Sequence, residues 1–482
     1  MRFQRASSSE IITLDEQALL GAGGEARIYV PPNNPELVAK IWHKPTLERT
    51  RKLRVMVANP PLNPTAGQSH DAIAWPLDLL YPPGRADLLA GFLMPRVTGM
   101  RPVGEFYNPK TRREQCPLFN YFYLHRTARN LAIAVRALHE RGYVIGDVNE
   151  SNLLVSETAL VTLVDTDSFQ VWDAETGQMY RCRVGKPEFT PPELQGKSFS
   201  QVDRGPEHDL FGLGVLIFQL LLEGTHPFAG VFKGRGEPPP IEQRIAAGLF
   251  PHGTDPNLPF APKPTAPLFE TIAPGLRDLF VRCFQDGHFR PGLRPDPQSW
   301  QFLLEEAESH LVSCWWNSQH VYGDHLDQCP WCARAALLGG RDPFPSVDAV
   351  KAGRHLRPAK PPPGRVFANP LPATQQATVL TPAPIPPSRG STLRRRRPLL
   401  GDWNDWAWIA GTLAAMTIAS AWPFHWQANL VTFLLGLLTL LAGILGEYKS
   451  HKPDLDGELA WLARVSIVIG LAGVLWSVYS HA

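Results

Sequence analysis

The pattern of apolar and polar positions changes character along the chain. From about residue 11 to 310 it mixes as in a globular domain. Within that stretch Tyr121–Arg141 sets Leu124, Ala128, Leu131, Val135 and Leu138 at helical spacing, which predicts an amphipathic helix. Asp209–Glu223 is apolar nearly all round and predicts a buried core helix. Leu153–Val155 and Val161–Val164 are short apolar runs and predict strands. From about 341 to 402 Pro and small polar residues take over with hardly an aromatic. Such a segment cannot bury enough apolar surface to offset its ordering entropy, so a disordered, partly extended basic linker is expected. In the last stretch, 403–482, three apolar runs at about 406–422, 428–446 and 459–479 reach spanning length and predict transmembrane helices. Trp403, Trp406, Trp422, Trp426, Tyr448 and Tyr479 stand at their ends, where interfacial aromatics belong.

Flanking charge sets the expected orientation. Arg394–Arg397 precede the first run, and Lys449 and Lys452 lie before the third, whereas the PFHWQ loop holds neither Lys nor Arg. The positive-inside rule then puts residues 1–402 in the cytoplasm and the C-terminus outside. The opening MRFQRASSSE has no apolar run, so no cleavable signal peptide is expected.

Composition narrows the classes. A chain of 482 residues suggests several units, and 48 Pro fit a long linker. Lys+Arg 47 against Asp+Glu 45 leaves a formal charge of +2. That balance argues against a whole-protein polyanion binder, and no nucleic-acid partner is expected. Six Cys in so long a chain make no disulfide framework.

Candidate chemistry begins at Gly21-Ala22-Gly23-Gly24-Glu25-Ala26-Arg27-Ile28. Glycines allow a tight turn and let backbone N–H groups approach phosphate oxygens. Fourteen residues past Ala26, the strand-like Val38-Ala39-Lys40-Ile41 carries one lysine. It suits a phosphate partner, or is an ordinary strand-edge lysine. The stretch Gly146-Asp147-Val148-Asn149-Glu150-Ser151-Asn152 runs from helix to strand, and Asp165-Thr166-Asp167 follows the next apolar run. Asp147, Asn152 and Asp165 thus end apolar runs at spacings that let them converge on one cleft. Phosphoryl transfer needs such a set: a carboxylate to orient the attacking oxygen and oxygen ligands for Mg²⁺.

In this order the motifs of residues 11–310 resemble a protein kinase, which implies an α+β, bilobal kinase-like fold. By that resemblance Gly21, Ala22, Gly23, Gly24, Ile28, Ala39, Lys40, Met94 and Arg96 line the nucleotide site, the last two in the hinge Leu93–Arg96. Asp147 is the catalytic carboxylate, Lys40 contacts phosphates, and Asn152 and Asp165 hold Mg²⁺. Thr190-Pro-Pro-Glu193 resembles the A-P-E element, with Arg294 as its salt-bridge partner. Asp209 resembles the carboxylate that supports the catalytic loop. The helix acid pairing with Lys40 is expected at Glu48, the one Glu between Lys40 and Glu105. The wording departs from the family at Ile145-Gly146-Asp147, at Asn149 where Ser/Thr kinases carry Lys, and at Asp165-Thr166-Asp167, which lacks the Phe and Gly of D-F-G. Asp167 is expected to be solvated or locally hydrogen-bonded, with metal ligation as the alternative. GDVNESN, VDTDSFQV and EFTPPELQG are similar to bacterial kinase-like proteins. That likeness implies bacterial inner-membrane signalling, with a metal-dependent Ser/Thr phosphatase and a von Willebrand A-type protein as partners.

Residues 311–340 hold Cys314, His320, Cys329 and Cys332 in a C-x5-H-x8-C-x2-C pattern, with His325 as an alternative ligand. Four such ligands suit a closed, structural tetrahedral zinc site. A redox C-x-x-C and unliganded core cysteines are the competing readings. The expected function is a membrane-anchored, ATP- and Mg²⁺-dependent Ser/Thr protein kinase of unknown substrate; the alternative is a nucleotide-binding pseudokinase acting as a tethered adaptor.

Overall fold

The computed structural model describes residues 1–65, 68–85 and 87–358, together with the backbone of Ala368–Pro370. The three apolar runs and most of the linker lie outside the described residues. Among the described residues, no helix is long and apolar enough to cross a membrane.

Seven strands build the first lobe: β1 (Arg2–Arg5), β2 (Ile11–Thr13), β3 (Leu19–Ala22), β4 (Ala26–Tyr29), β5 (Leu37–Trp42), β6 (Asp78–Tyr81) and β7 (Gly91–Pro95). They form one sheet in the order β2-β1-β6-β7-β5-β4-β3. Every pair is antiparallel. The sheet begins at Arg2, ahead of residue 11 where the domain is expected to start. Strand period two splits β5: Ala39 and Ile41 join Tyr29, Leu80 and Leu93 in one apolar cluster, while Trp42 packs with Phe92 in another. Lys40 shares its face with Trp42. One helix, α1 (Leu47–Ala58), crosses this lobe, its first turn capped by the Thr46 hydroxyl accepting from Arg49 N at 3.2 Å.

A strand β8 (Arg101–Pro102) leads into two short helices, α2 (Val103–Tyr107) and α3 (Pro109–Gln115), and then into the helical lobe. Its centre is α4 (Tyr121–Glu140) against α5 (Pro206–Leu221), both as the periodicity predicts. Leu124, Ala128, Leu131, Val135 and Leu138 are all fully buried. Past its polar first turn α5 disappears into the same core, its turns lined by Phe211 and Phe218 against Phe228, Phe280 and Phe284. Between these helices β9 (Leu153–Val155) and β10 (Val161–Leu163) form the expected strands, with Asp147 and Asn152 on the loop that enters β9 and Asp165 just past the end of β10.

After the helix Pro297–Ser309 the chain adds a small hairpin, Leu311–Cys314 with Val321–Gly323, and a helix Pro330–Leu337. A disordered linker was expected from residue 341, and its first residues do not behave so. Asp342 bonds His320, Phe344 is buried against Trp331 and Tyr121, and Val347–Lys351 is helical behind a Ser346 cap. One aromatic and one N-cap suffice there to extend the ordered unit past the compositional boundary.

Candidate active site

The glycine turn joins β3 to β4, closed by Gly23 N donating to Ala26 O at 2.9 Å. A Cβ at Gly21 or Gly24 would meet nothing within 4 Å, so the space around the turn is open. Ala22 is exposed, Ile28 half-buried and Ala39 fully buried. Met94 and Arg96 stand at the end of β7, with Met94 in register with Val38 and Arg96 N donating to Glu36 O at 2.8 Å.

The catalytic loop is held from below by one carboxylate. Asp209, buried at the start of α5, accepts from Ile145 N and Gly146 N at 2.7 Å each and meets His139 Nε2 at 2.9 Å. The role expected of Asp209 is therefore met. Gly146 lies at φ 77°, and a Cβ there would come within 2.7 Å of Cys182 and 2.9 Å of an Arg204 guanidinium nitrogen. Arg204 occupies the space beside Gly146 that a side chain there would enter. Its guanidinium donates to the carbonyl of Gly146 and, at 2.7 Å, to Val184 O, tying the loop to the following segment without a phosphate. The sequence offered no spacing signal for it. Asn149 is buried and structural, its amide donating to Asp147 O at 3.1 Å and accepting from Ser151 N at 2.8 Å.

Asn152 turns back on Asp147: Nδ2 donates to Asp147 O at 3.0 Å and to Asp147 Oδ2 at 3.2 Å. The amide nitrogen is thus spent, which leaves the amide oxygen as the end able to face a cation. Asp147 Oδ1 is buried without a hydrogen-bond partner, an acceptor held ready at the mouth of the loop. Val164 N donates to Asn152 O at 3.0 Å and brings Asp165 to the same place. Asp165 adopts a left-handed φ of 58°, uncommon outside glycine, and the turn after it is pinned by Ser168 Oγ on Asp165 O and Thr166 Oγ1 on Ala74 O, both 2.8 Å. The oxygen set of Asp165 and Asn152 fits a hard divalent cation.

Lys40 reaches this turn, not α1. Its Nζ lies 2.8 Å from Asp165 Oδ1 and 2.6 Å from Asp167 Oδ1. Burial works against the ammonium, but the charges of Asp167 and then Asp165 outweigh it and hold the Lys40 pKa above the ordinary lysine value. Desolvation, with Asp167 beside it, raises the Asp165 pKa, and Lys40 opposes both. Glu48, expected to pair with Lys40, faces outward and binds Arg183 through both oxygens at 2.8 Å. Lys52, one turn farther along α1, reaches the cleft instead, donating to Asp167 O at 2.6 Å. Burial pushes the Lys52 pKa down to about 8. Asp167 is thus neither solvated nor bonded only to its neighbours. Farther out, Arg294 grips Glu193 with two bonds of 2.7 Å, as expected.

The second constellation is preassembled. The ligand atoms of Cys314, His320, Cys329 and Cys332 all lie within 4.8 Å of one another and all four residues are buried. His320 Nδ1 stands 3.3 Å from Cys332 Sγ and 3.5 Å from Cys329 Sγ, and the Cys314 and Cys332 sulfurs are 3.6 Å apart. Tetrahedral zinc with its usual bond lengths implies ligand–ligand edges of about 3.3–3.8 Å, and these three separations lie in that range. His320 Nε2 meets Asp342 at 2.8 Å, an outer carboxylate of the kind that orients metal-bound imidazoles. His325 turns away to the Glu270 carbonyl at 3.1 Å and is no ligand. Trp331, inside the Cys329–Cys332 turn, stacks edgewise on Tyr121 of α4 at 4.8 Å, and a buried Arg112–Glu223 pair lies beside it with Arg334 on the same carboxylate.

Comparison with known proteins agrees with this geometry. Residues 105–287 match the family model described as Protein kinase domain. That match begins after the seven-stranded sheet, so Lys40 and the glycine turn lie outside it. Protein kinase YegI of Escherichia coli (strain K12) is 34% identical over 330 residues, 68% of this chain and 49% of the relative. Protein kinase YegI of Escherichia coli O157:H7 is 34% identical over 65% of this chain and 48% of the relative. The chain therefore spans about half the length of these curated relatives. A solved structure, the ROP18 kinase domain in complex with AMP-PNP and sucrose, aligns over 64% of this chain and 83% of that chain at 19% identity and a TM-score of 0.42. On the family match and on the arrangement around Asp147, Asn152 and Asp165, the chain carries a protein kinase domain.

Proposed function

We propose that the chain is an ATP- and Mg²⁺-dependent protein kinase that transfers the γ-phosphoryl group to Ser or Thr hydroxyls in bacterial signalling. One observation carries the reading: Asp147 keeps an unpartnered buried oxygen on a loop whose backbone is fixed by Asp209 and whose other oxygen is held by Asn152. That oxygen accepts the hydrogen bond of an incoming hydroxyl and aims its lone pair. Asn152 and Asp165 would hold Mg²⁺, which neutralises phosphate charge when bound. Lys40 supplies the fixed cation for the phosphates, and Gly21, Gly23 and Gly24 leave the turn open to them. Catalysis of this kind is positioning and charge compensation without a covalent intermediate.

The protein incubated with γ-labelled ATP and Mg²⁺ and then digested should carry phosphate on Ser or Thr, as read by mass spectrometry, and none when Mg²⁺ is chelated. Nucleotide-induced thermal stabilisation with no phosphopeptide would favour the tethered adaptor instead. The apolar runs at 406–422, 428–446 and 459–479, with Arg394–Arg397 before them, support anchoring in the inner membrane with residues 1–402 in the cytoplasm. A chain ending at residue 402 should leave the membrane fraction. Dephosphorylation by a metal-dependent Ser/Thr phosphatase, beside a von Willebrand A-type protein, completes the reading on the wording of the motifs alone.

The Cys314, His320, Cys329 and Cys332 cage supports a structural zinc ion that braces the α4 end of the helical lobe. Elemental analysis should return one zinc per chain, lost in Cys332→Ser, and a strong chelator should lower the thermal midpoint of the wild-type protein but not of that variant.

A further inference from the structure

Lys40 has two anionic partners, and they are not equivalent. The Asp165 side chain is 42% exposed and that of Asp167 only 12%. Asp165 opens on the cleft beside Asn152. Asp167 is enclosed between Lys40 and α1, its own carbonyl taken by Lys52. The only acid on α1 is Glu48, and it is spent on Arg183. The helix therefore brings a cation to the cleft where an acid is expected, and the anion beside Lys40 comes from the turn after Asp165.

We propose that Asp167 is the positioning residue for the phosphate-contacting lysine: it holds the Lys40 ammonium in place so that Asp165 is released to a divalent cation. The proposal rests on the kinase reading of the cleft. Without Asp167, Lys40 has Asp165 as its one remaining carboxylate, and an ammonium then competes with Mg²⁺ for the same oxygens. With Asp167 present the two cations have separate anions. The lysine is thus set by the segment that carries the metal ligand. The orientation of α1 enters only through Lys52 on the Asp167 carbonyl.

The test is ATP binding by the 482-residue chain, followed calorimetrically across a Mg²⁺ series, for wild type, Asp167→Asn and Glu48→Gln. Asp167→Asn should raise the Mg²⁺ concentration for half-maximal ATP uptake at least fivefold, while Glu48→Gln superimposes on wild type. Superposition of Asp167→Asn on wild type, or the shift appearing in Glu48→Gln instead, overturns the proposal and leaves the kinase reading standing. Absence of any Mg²⁺-dependent ATP uptake by wild type overturns both. Should Asp167→Asn fail to fold, a crystal structure of the wild-type protein with Mg²⁺ and a non-hydrolysable ATP analogue decides. Lys40 should stay on Asp167 while Asp165 leaves it for the metal, and Lys40 found on Glu48 or on Asp165 alone contradicts the assignment.

Discussion

The two sides of the cleft keep their charges by different means. On the helical-lobe side two long-range partners are the ones the resemblance implies: Asp209 under Ile145 and Gly146, and Arg294 on Glu193. On the sheet side the lysine is kept and its partner is exchanged, with Asp167 standing in for an acid on α1 and Lys52 turned inward. A reaction that works by positioning constrains where charges sit more tightly than which element delivers them. The carboxylate under the loop around Asp147 admits little variation even where the loop's own side chains change, because backbone N–H groups without an acceptor are costly when buried. An ammonium needs only some carboxylate within reach, so its anchor can migrate along the chain.

If this contrast is right, perturbations on the helical-lobe side should cost most. Asp209→Ala removes a buried acceptor from two amides and a histidine, and should destabilise the protein by about 3–5 kcal/mol in denaturant melts. A loss below about 1 kcal/mol would show that the loop holds itself. Lys52 is the intermediate case. Its pKa in the folded protein is about 8 against an ordinary 10.5, so the folded state binds fewer protons than the unfolded state between those values. The cost of its burial is therefore fully present below pH 8 and is relieved as pH rises toward 10.5. Lys52→Met should abolish this term, raising stability near neutral pH by up to roughly 3 kcal/mol and flattening the rise above pH 8. A parallel pH profile for variant and wild type would place the lysine in a wetter site. Glu48→Gln is the smallest change: it breaks an exposed pair with Arg183 and should move stability by no more than about 0.5 kcal/mol. A larger loss would mean that α1 does present its acid to the cleft.

The same contrast explains what could be read from the sequence. The helices α4 and α5 follow from periodicity because their burial is a property of their own residues. Asp147, Asn152 and Asp165 follow from spacing, since short segments between regular elements leave few places for them to go, and Asp209 follows from the resemblance. The partner of Lys40 does not follow, because it depends on how far along its axis α1 is set, and the few residues from Trp42 to Leu47 fix that placement. Had Glu48 and Lys52 been weighed as a pair four residues apart, they would still have lain on one face without saying which of them points inward. Arg204 was illegible for a related reason: it fills space that Gly146 vacates, a vacancy visible only once the loop is folded. In the cysteine cluster the ligand spacing was local and legible. Asp342 lay beyond a boundary drawn from composition, and composition does not register one carboxylate behind one histidine.

The central claim is that Asp147 faces a phosphoryl acceptor, and the most direct measurement is the rate of label transfer from ATP by wild type and Asp147→Asn at saturating Mg²⁺, with ATP affinity measured alongside. The account predicts a fall of about 10²–10⁴ in transfer with ATP affinity unchanged within a factor of about three. Equal rates for the two proteins would contradict it.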